Sequence, residues 1–323
     1  MNVAVVAHSG KTLGGGLPEL RRVLEAAGIA DPFWCEVPKS RKAPAQVRRA
    51  LDGGAELLIA WGGDGMVQRC VDVLAGSGSD VALAIIPAGT ANLFATNLGI
   101  PSDIEAAVDV GLHGARRRVD LGRFNGERFA VMAGAGFDAA MIRDASNGSL
   151  KERLGRVAYV WTGSENLRSK PFRANIEVDG ANWYKGKASC ILLGNVGKLV
   201  GGVEAFEDAR PDDGRLELGV VTAEGLLEWG RMIARAAVGP VDRSPFARTT
   251  KARSVKVKLN RKVLYELDGG DRKKVKVFKV KVEPGAVTVC LPNGSSALGV
   301  SEIASETSSA DRPLVRSRPT GPS

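Results

Sequence analysis

Histidine and cysteine are scarce in this 323-residue chain, and their placement removes several chemistries at once. The two histidines are His8 and His113; the four cysteines are Cys35, Cys70, Cys190 and Cys290. A zinc site needs clustered ligands, and these residues form no cluster. The cysteines share no paired spacing either, so they read as reduced residues in cores. Aromatic residues make up only 5% of the chain, and the basic segments carry little beyond Tyr265 and Phe278. A base-stacking platform alternates such rings with cations, so nucleic acid is not an expected partner. No window approaches the ~20 uninterrupted apolar residues of a membrane span. Nor does the N-terminus show a charged flank followed by an apolar stretch. It runs from Met1 to Ala7 as a buried strand and turns at His8-Ser9-Gly10. The expected compartment is the cytoplasm.

The remaining composition is that of a globular protein, 44% apolar and 25% charged, and its length suggests two domains. The first ~115 residues alternate strand and helix patterns, as α/β folds do. Strands are expected at Asn2–Ala7, Pro32–Val37, Leu57–Trp61 and Val81–Ile86. Helices are expected at Leu17–Ala27, Ala45–Leu51 and Met66–Leu74, where Val67, Cys70, Val71 and Leu74 make one apolar stripe. A further helix over Ser102–Val110 would take Ser102 as its cap. From Val119 onward strands dominate: Arg128–Ala133, Arg173–Val178, Ala188–Leu193, Arg215–Val221, Ser254–Leu259 and Lys274–Val282. In the last, lysine and valine alternate, which predicts valines on a core face and lysines in water. Helices are also expected near 150–167 and 226–238. The expected architecture is α/β: a doubly wound α/β nucleotide-binding domain over residues 1–118, then a mainly antiparallel β domain over 119–295. A Ser/Thr/Pro/Arg-rich tail, 296–323, is expected to be disordered. The active site would lie in the cleft between the two domains.

The net charge of +9 is unevenly spread. Residues 243–281 hold 14 lysines and arginines against 3 acids. A basic face this dense suits an anionic partner such as lipid headgroups or nucleotide phosphates, and suits a solvated strand face equally well.

Three loops have the composition of phosphate cradles. Trp61-Gly62-Gly63-Asp64-Gly65 follows a strand and opens a helix, so its glycines allow close approach and the helix start offers amides to an anion. Asp64 fits beside phosphates when a cation lies between them. Pro87-Ala88-Gly89-Thr90-Ala91-Asn92 repeats the arrangement, with Thr90 and Asn92 able to hydrogen-bond phosphate or ribose. The third, His8-Ser9-Gly10-Lys11-Thr12, is not a P-loop, because the glycine that motif needs is Val5.

Gly62-Gly63-Asp64-Gly65 with Pro87-Ala88-Gly89-Thr90-Ala91-Asn92-Leu93-Phe94-Ala95 resembles the diacylglycerol kinase catalytic-domain family, which includes bacterial lipid kinases and the sphingosine and ceramide kinases. Further matches follow in family order. They are Val119-Asp120-Leu121-Gly122, Ala133-Gly134-Ala135-Gly136-Phe137-Asp138, Ala209-Arg210-Pro211-Asp212-Asp213-Gly214-Arg215-Leu216, Asp268-Gly269-Gly270 and Pro284-Gly285-Ala286-Val287. The resemblance implies an ATP- and Mg2+-dependent lipid kinase, with diacylglycerol as the expected substrate and a sphingoid base or ceramide as alternatives. It implies that Ser9, Gly10, Gly62, Gly63, Asp64, Gly65, Met66, Gly89, Thr90 and Asn92 bind the nucleotide. Asp120 would stand near the substrate hydroxyl or hold a strand start. Asp213, with the carbonyls of Arg210 and Arg215, would hold a structural Mg2+, although Asp-Gly between strands is also an ordinary turn.

The chain departs from the family pattern at Met66, where threonine is common, at Leu93, where many members have aspartate, and at Gly270. The family's general base is a glutamate at the position of Gly270. Asp271 and Asp268 are the nearest replacements, and Asp271 is the expected one. No threonine stands near Val37, where the family has one. These departures leave a second reading, a catalytically weak or inactive pseudokinase that binds nucleotide or lipid. NAD kinase shares Gly-Gly-Asp-Gly but has an Asn-x-Gly-x-x-Gly-Phe-Leu stretch that is absent here. Expected partners are a lipid substrate at the membrane surface and anionic phospholipid, with reversible attachment to the inner membrane face. A homodimer through an exposed edge strand would also be compatible with the pattern.

Overall fold

The computed structural model describes residues 1–136, 171–199, 204–224, 228, 231 and 244–294. The helix expected at 150–167, nearly all of that at 226–238, the tail 296–323 and the matched pair Phe137-Asp138 lie outside the described residues.

The first part of the chain is a parallel sheet of β1 (Val3–His8), β2 (Phe33–Val37), β3 (Leu57–Gly62) and β4 (Ala82–Pro87), in the order β2-β1-β3-β4. Around it run α1 (Gly16–Ala26), α2 (Ala43–Asp52), α3 (Asp64–Ser77), α4 (Leu93–Asn97) and α5 (Ile104–His113). The strands are apolar on both faces because helices cover both. Val5, Ile59 and Trp61 pack with Leu20 and Leu24 of α1 and Ala107 and Val108 of α5. Their alternate neighbours Val6, Leu58 and Ala60 pack with Val47 of α2 and Val67, Cys70 and Val71 of α3. Helix α5 is capped by Asp103 rather than by the expected Ser102. Asp103 Oδ1 accepts from the Ala106 amide at 2.8 Å, the reach an N-cap side chain has to the third helical residue.

The remaining strands are β5 (Ala115–Phe124), β6 (Glu127–Phe129), β7 (Met132–Ala135), β8 (Phe172–Val178), β9 (Ala181–Ala188) and β10 (Cys190–Gly194). They continue with β11 (Leu216–Val221), β12 (Ala247–Ala252), β13 (Ser254–Val263), β14 (Tyr265–Leu267), β15 (Gly270–Asp271) and β16 (Val275–Leu291). Among the described residues, one sheet runs β12-β11-β10-β7-β14-β15. The other strands join the parallel sheet, giving β2-β1-β3-β4-β16-β13-β8-β9 with β5 and β6 alongside β16. Ile191, Leu193, Leu218 and Val220 of the first sheet meet Ile176, Val257, Phe278 and Val280 of the second in one apolar core. No helix among the described residues is long and apolar enough to cross a membrane.

The lysine–valine alternation of β16 changes phase part-way along. Phe278 takes the core side, so its neighbour Val277 is 50% exposed while Val280 is buried. A register shift between Lys258 and Val263 of β13 accommodates the change.

β16 reaches into both halves of the molecule. Its start pairs with β13, its end pairs with β4 in parallel, and β5 lies against it from Val280 to Leu291 except at an irregularity between Glu283 and Val287. Asp120 of β5 closes that gap. It is 2% exposed. Its Oδ1 accepts from the Gly285 amide at 2.7 Å and its Oδ2 from the Gly214 amide at 2.6 Å. Its own amide donates to Pro211 O at 2.6 Å, and its carbonyl accepts from Asn195 Nδ2 at 2.8 Å. Two hydrogen bonds to a charged acceptor contribute about 1.5–3 kcal/mol each. Replacing Asp120 with alanine should therefore destabilise the fold by about 3 kcal/mol. That corresponds to a melting temperature roughly 6–12 °C lower, measurable by differential scanning calorimetry.

Candidate active site

The C-terminal ends of three neighbouring parallel strands meet at one edge of the sheet. Ala7 stands opposite Trp61, and Gly62 opposite Pro87, so the loops after β1, β3 and β4 lie side by side. The strand order reverses between β1 and β3, since β2 lies on the far side of β1; ligands of open α/β sheets bind at such a point. Trp61 fixes the first loop to the second, its Nε1 donating to Lys11 O at 3.1 Å. Ser9 is tied to β2, its amide donating to Val37 O at 3.0 Å and its Oγ to the same oxygen at 3.4 Å. The Gly10 amide donates to His8 Nδ1 at 3.2 Å.

The second and third loops touch through their main chains. A Cβ on Gly89 would lie 2.3 Å from the Gly63 Cα and 2.5 Å from Asn92 Oδ1, so only glycine fits there. Asn92, at φ 49°, holds the loop in shape. Its Oδ1 accepts from the Gly89 amide at 2.9 Å, and its Nδ2 donates to Pro87 O at 2.8 Å and Gly89 O at 3.0 Å. These bonds give the Asn92 side chain a role inside the loop. Thr90 is exposed at the loop tip. Met66 is 2% exposed and packs in the core beneath Gly62. Its amide donates to Gly63 O at 2.8 Å, so it offers a nucleotide neither a polar side chain nor an open amide. Asp64 and Gly65 are the first residues of α3, and its cap Gly63 supplies no side-chain hydrogen bond, so this helix start has the character of an anion seat.

Asp64 begins α3, and its Oδ1 accepts from the Phe94 amide at 3.0 Å, linking the two glycine loops. Burial pushes its carboxyl above the ordinary value, against the pull of that amide. Asp268 lies close enough to feel the Asp64 charge. It occupies the two-residue turn between β14 and β15 with φ 46°, followed by Gly269 at φ 75°. Both positive values are what this hairpin turn requires, and Asp-Gly supplies them. Its oxygens accept from the amides of Ala130 at 2.8 Å, Val131 at 2.9 Å and Met132 at 2.9 Å. Asp271, the expected base, is exposed on β15 across from the buried Glu266.

Sequence reasoning missed Arg272. A Cβ on Gly270 would lie 2.7 Å from Arg272 Nη1, so the guanidinium fills the space a side chain at 270 would need. Its Nη1 donates to Gly270 O at 2.9 Å, and its Nε donates to both oxygens of Glu127 at 3.0 Å. These partners are 145 residues apart, and no spacing rule pairs them. Also missed was Lys251, which lies against the Asp213 carboxylate at 3.1 Å. Asp213 Oδ1 accepts from the Arg215 amide at 2.9 Å. The Arg210 side chain lies against Asp212, at 3.3 Å. Asp120, expected near the substrate hydroxyl, has both oxygens engaged by the turns at Gly214 and Gly285. It therefore holds the strands together at the base of this region.

The Asp64–Asp268 pairing has a measurable signature. Burial, with the Asp64 charge adding to it, pushes the Asp268 carboxyl from 3.8 up to about 7, although three amides pull the other way. A raised carboxyl binds its proton in the folded state before the unfolded chain does. Its contribution to stability is fully present below pH 3.8 and is lost as pH rises through about 7. In the metal-free and nucleotide-free protein, 13C NMR titration should place the Asp268 midpoint near 7. Asp64→Asn removes one raising charge and should move that midpoint downward.

Comparison with known proteins agrees with this geometry. The sequence profile of the diacylglycerol kinase catalytic domain matches residues 3–124, and that of the YegS C-terminal NAD kinase beta sandwich-like domain matches residues 131–291. The chain is 32% identical over 254 residues to a diacylglycerol kinase of Staphylococcus epidermidis, covering 78% of this chain and 79% of that one. It is likewise 32% identical over 254 residues to a diacylglycerol kinase of Staphylococcus saprophyticus, covering 78% and 82%. The crystal structure of a diacylglycerol kinase from Bacillus anthracis shares the fold, with a TM-score of 0.71 at 21% identity over 91% of this chain and 98% of that one. With two profiles spanning most of its length and curated relatives above 30% identity, this chain belongs to the diacylglycerol kinase catalytic-domain family of lipid kinases.

Proposed function

We propose that this lipid kinase transfers the γ-phosphoryl group of ATP to the hydroxyl of diacylglycerol, giving phosphatidic acid and ADP. The observation that carries the reading is the meeting of the two glycine loops at Asp64, with Asp268 near enough to feel its charge. The Asp64 and Gly65 amides and the adjoining loop backbone suit the nucleotide phosphates. Among the described residues no group of three or more His, Cys, Asp or Glu side chains forms a metal cage. Asp64 alone suits Mg2+, which takes one or two carboxylates and completes its shell with phosphate oxygens and water. Magnesium bound there would neutralise charge developing on the transferred group.

Asp268 rather than Asp271 is the carboxylate suited to the substrate hydroxyl. It lies near enough to feel the Asp64 charge, three amides hold it in place, and its pKa of about 7 lies near working pH. As the lipid oxygen attacks the γ-phosphorus, Asp268 takes the hydroxyl proton, the bond to the β-phosphate oxygen breaks and ADP leaves. A second reading rests on Arg272, whose guanidinium stands where a side chain at 270 would be. It favours a weak or silent kinase that still binds nucleotide or lipid. Turnover with Mg2+ and ATP on diacylglycerol, monoacylglycerol, sphingosine and ceramide in mixed micelles separates the two. Expected are product on diacylglycerol, none with Asp64→Ala, and a kcat lowered about 10²–10⁴-fold by Asp268→Asn. Asp271→Asn should change kcat by less than about 3-fold. Nucleotide binding without product on any lipid supports the second reading.

The membrane partner is an anionic surface. Arg173, Lys185, Lys256, Lys258, Lys279 and Lys281 share the solvent face of the sheet across β8, β9, β13 and β16, with Lys256 opposite Lys279 and Lys258 opposite Asn175. Glu177 is the acid between them, paired with Lys256 at 3.0 Å. Each cation near an anionic bilayer contributes about 1 kcal/mol. Glutamine at Lys258, Lys279 and Lys281 should weaken co-sedimentation with phosphatidylserine-containing vesicles about 10²-fold. Binding to purely phosphatidylcholine vesicles, weak in the parent chain, should not change.

A further inference from the structure

The turn between Asp208 and Glu217 crowds acids around a single cation. Asp208, Asp213 and Glu217 converge on Lys251, whose place is fixed because it stands directly opposite Glu217 in the β11–β12 register. Its Nζ donates to Asp208 O at 2.8 Å and Asp213 Oδ2 at 3.1 Å, and lies 3.3 Å from Glu217 Oε1. An ammonium has three N–H donors and no acceptor. Here three oxygens from three different residues meet it, one main-chain carbonyl and two carboxylates. That is a hard-oxygen donor set, of the kind that otherwise surrounds a divalent cation.

The resemblance implies a structural Mg2+ on Asp213, with carbonyls of the same turn. The residues present do not fit it. One Asp213 oxygen is engaged by Lys251 and the other accepts the Arg215 amide. A divalent ion beside a held ammonium would meet like charge at contact distance in a partly buried setting. A lysine ammonium ordinarily titrates at about 10.4, and two carboxylates lie against this one. It therefore stays charged through the physiological range. Burial pushes the Glu217 carboxyl up, and the nearby Asp213 and Asp208 charges add to it against the pull of Lys251. A single ammonium thus meets two carboxylates and the Asp208 carbonyl.

We infer that the ε-ammonium of Lys251 is the resident cation of the 208–217 turn, taking the place of a bound divalent ion and making this turn metal-independent. The same turn carries the Gly214 amide that Asp120 accepts, so the built-in cation also supports the junction of β5 with β16. The inference is independent of the catalytic reading. It concerns a site away from Asp64, and its test requires no turnover.

The test is thermal unfolding of the full chain without nucleotide, on an Asp64→Asn background so that the phosphate-side carboxylate attracts no metal. With Lys251 present, the melting temperature should be the same in EDTA and in 10 mM MgCl2. Lys251→Met keeps the apolar stem and removes the charge, leaving the carboxylates uncompensated. It should melt about 3–6 °C lower in EDTA and recover at least half of that loss in MgCl2. Three results would overturn the inference: a Mg2+-dependent rise with Lys251 present that Asp213→Asn abolishes, a Lys251→Met variant that melts with its parent in EDTA, or a loss that MgCl2 does not restore. If Lys251→Met does not fold, calorimetric titration of the Lys251 protein with MgCl2 decides. No binding heat supports the inference, and heat removed by Asp213→Asn overturns it.

Discussion

The carboxylate of Asp120 is the junction on which the arrangement of this molecule depends. One oxygen holds the irregular stretch of β16 at Gly285, the other holds the turn at Gly214, and the main chain on either side reaches Pro211 and Asn195. Without that closure, β5 and β16 would have to part where their pairing is interrupted between Glu283 and Val287. β16 could not then serve the sandwich with its first half and the parallel sheet with its second. The placement of Asp268 within reach of the Asp64 charge depends on it. The segment Ala130–Met132 that grips Asp268 leaves β5 by a short hairpin, and Asn195 Nδ2 fastens Ala130 O at 2.9 Å beside the Asp120 carbonyl. Burying a carboxylate is costly unless its lone pairs are met, and main-chain amides meet them here with little side-chain entropy to lose.

Two acidic clusters lie on either side of this junction, and they solve the same problem differently. Around Asp213 the excess negative charge is balanced by Lys251, a cation that arrives with the fold and cannot dissociate. Around Asp64 no lysine or arginine is paired with the carboxylate among the bonds of the described residues, and burial raises both it and Asp268. Carboxylates raised in this way gain most from a ligand that brings positive charge, which is how a nucleotide–metal complex differs from nucleotide alone. The first cluster is stable in itself. The second is set up to be completed by what binds.

Most of the first domain was legible because its signals are local. The strands of the parallel sheet are short apolar runs ending in glycine loops, and the structure displaces their expected bounds by about one residue. The glycine loops were legible for the same reason, since close backbone approach leaves a mark in the sequence itself. Side-chain roles within them were less so. Asn92 looked like a ligand because its polar amide stands in a phosphate-type loop, yet its αL backbone turns that amide back onto Pro87 and Gly89. Strands β5, β9 and β12 went unseen. Arg116-Arg117-Arg118 read as a boundary because three consecutive cations hide the period of two, although they pair with Cys290, Val289 and Thr288. Lys251 and Arg272 were invisible for a different reason: each acquires its role from partners tens of residues or more away, which neither composition nor periodicity records.

The glycine at 270 and the arginine at 272 are best understood as one change. A side chain at 270 would need the volume that the Arg272 guanidinium occupies, and that guanidinium is anchored by Glu127 on the neighbouring β6 as well as by the Gly270 carbonyl. Lengthening residue 270 would therefore cost both a close contact and a charge-assisted pair. The pair fixes the start of β15, and with it the two-residue turn that presents Asp268. What is lost at 270 is a carboxylate on a mobile stem; what remains is a carboxylate two residues earlier, clamped by three amides and already near neutrality in its proton affinity. A carboxylate clamped in this way cannot reach for a substrate, so in the proposed reaction the lipid hydroxyl would have to be brought to it. Catalysis then leans more on positioning by the surrounding cleft than on movement of the acceptor. With Asp268 as the proposed proton acceptor, the departure at 270 would relocate that role, and the rate would depend on how closely the cleft seats the lipid against Asp268.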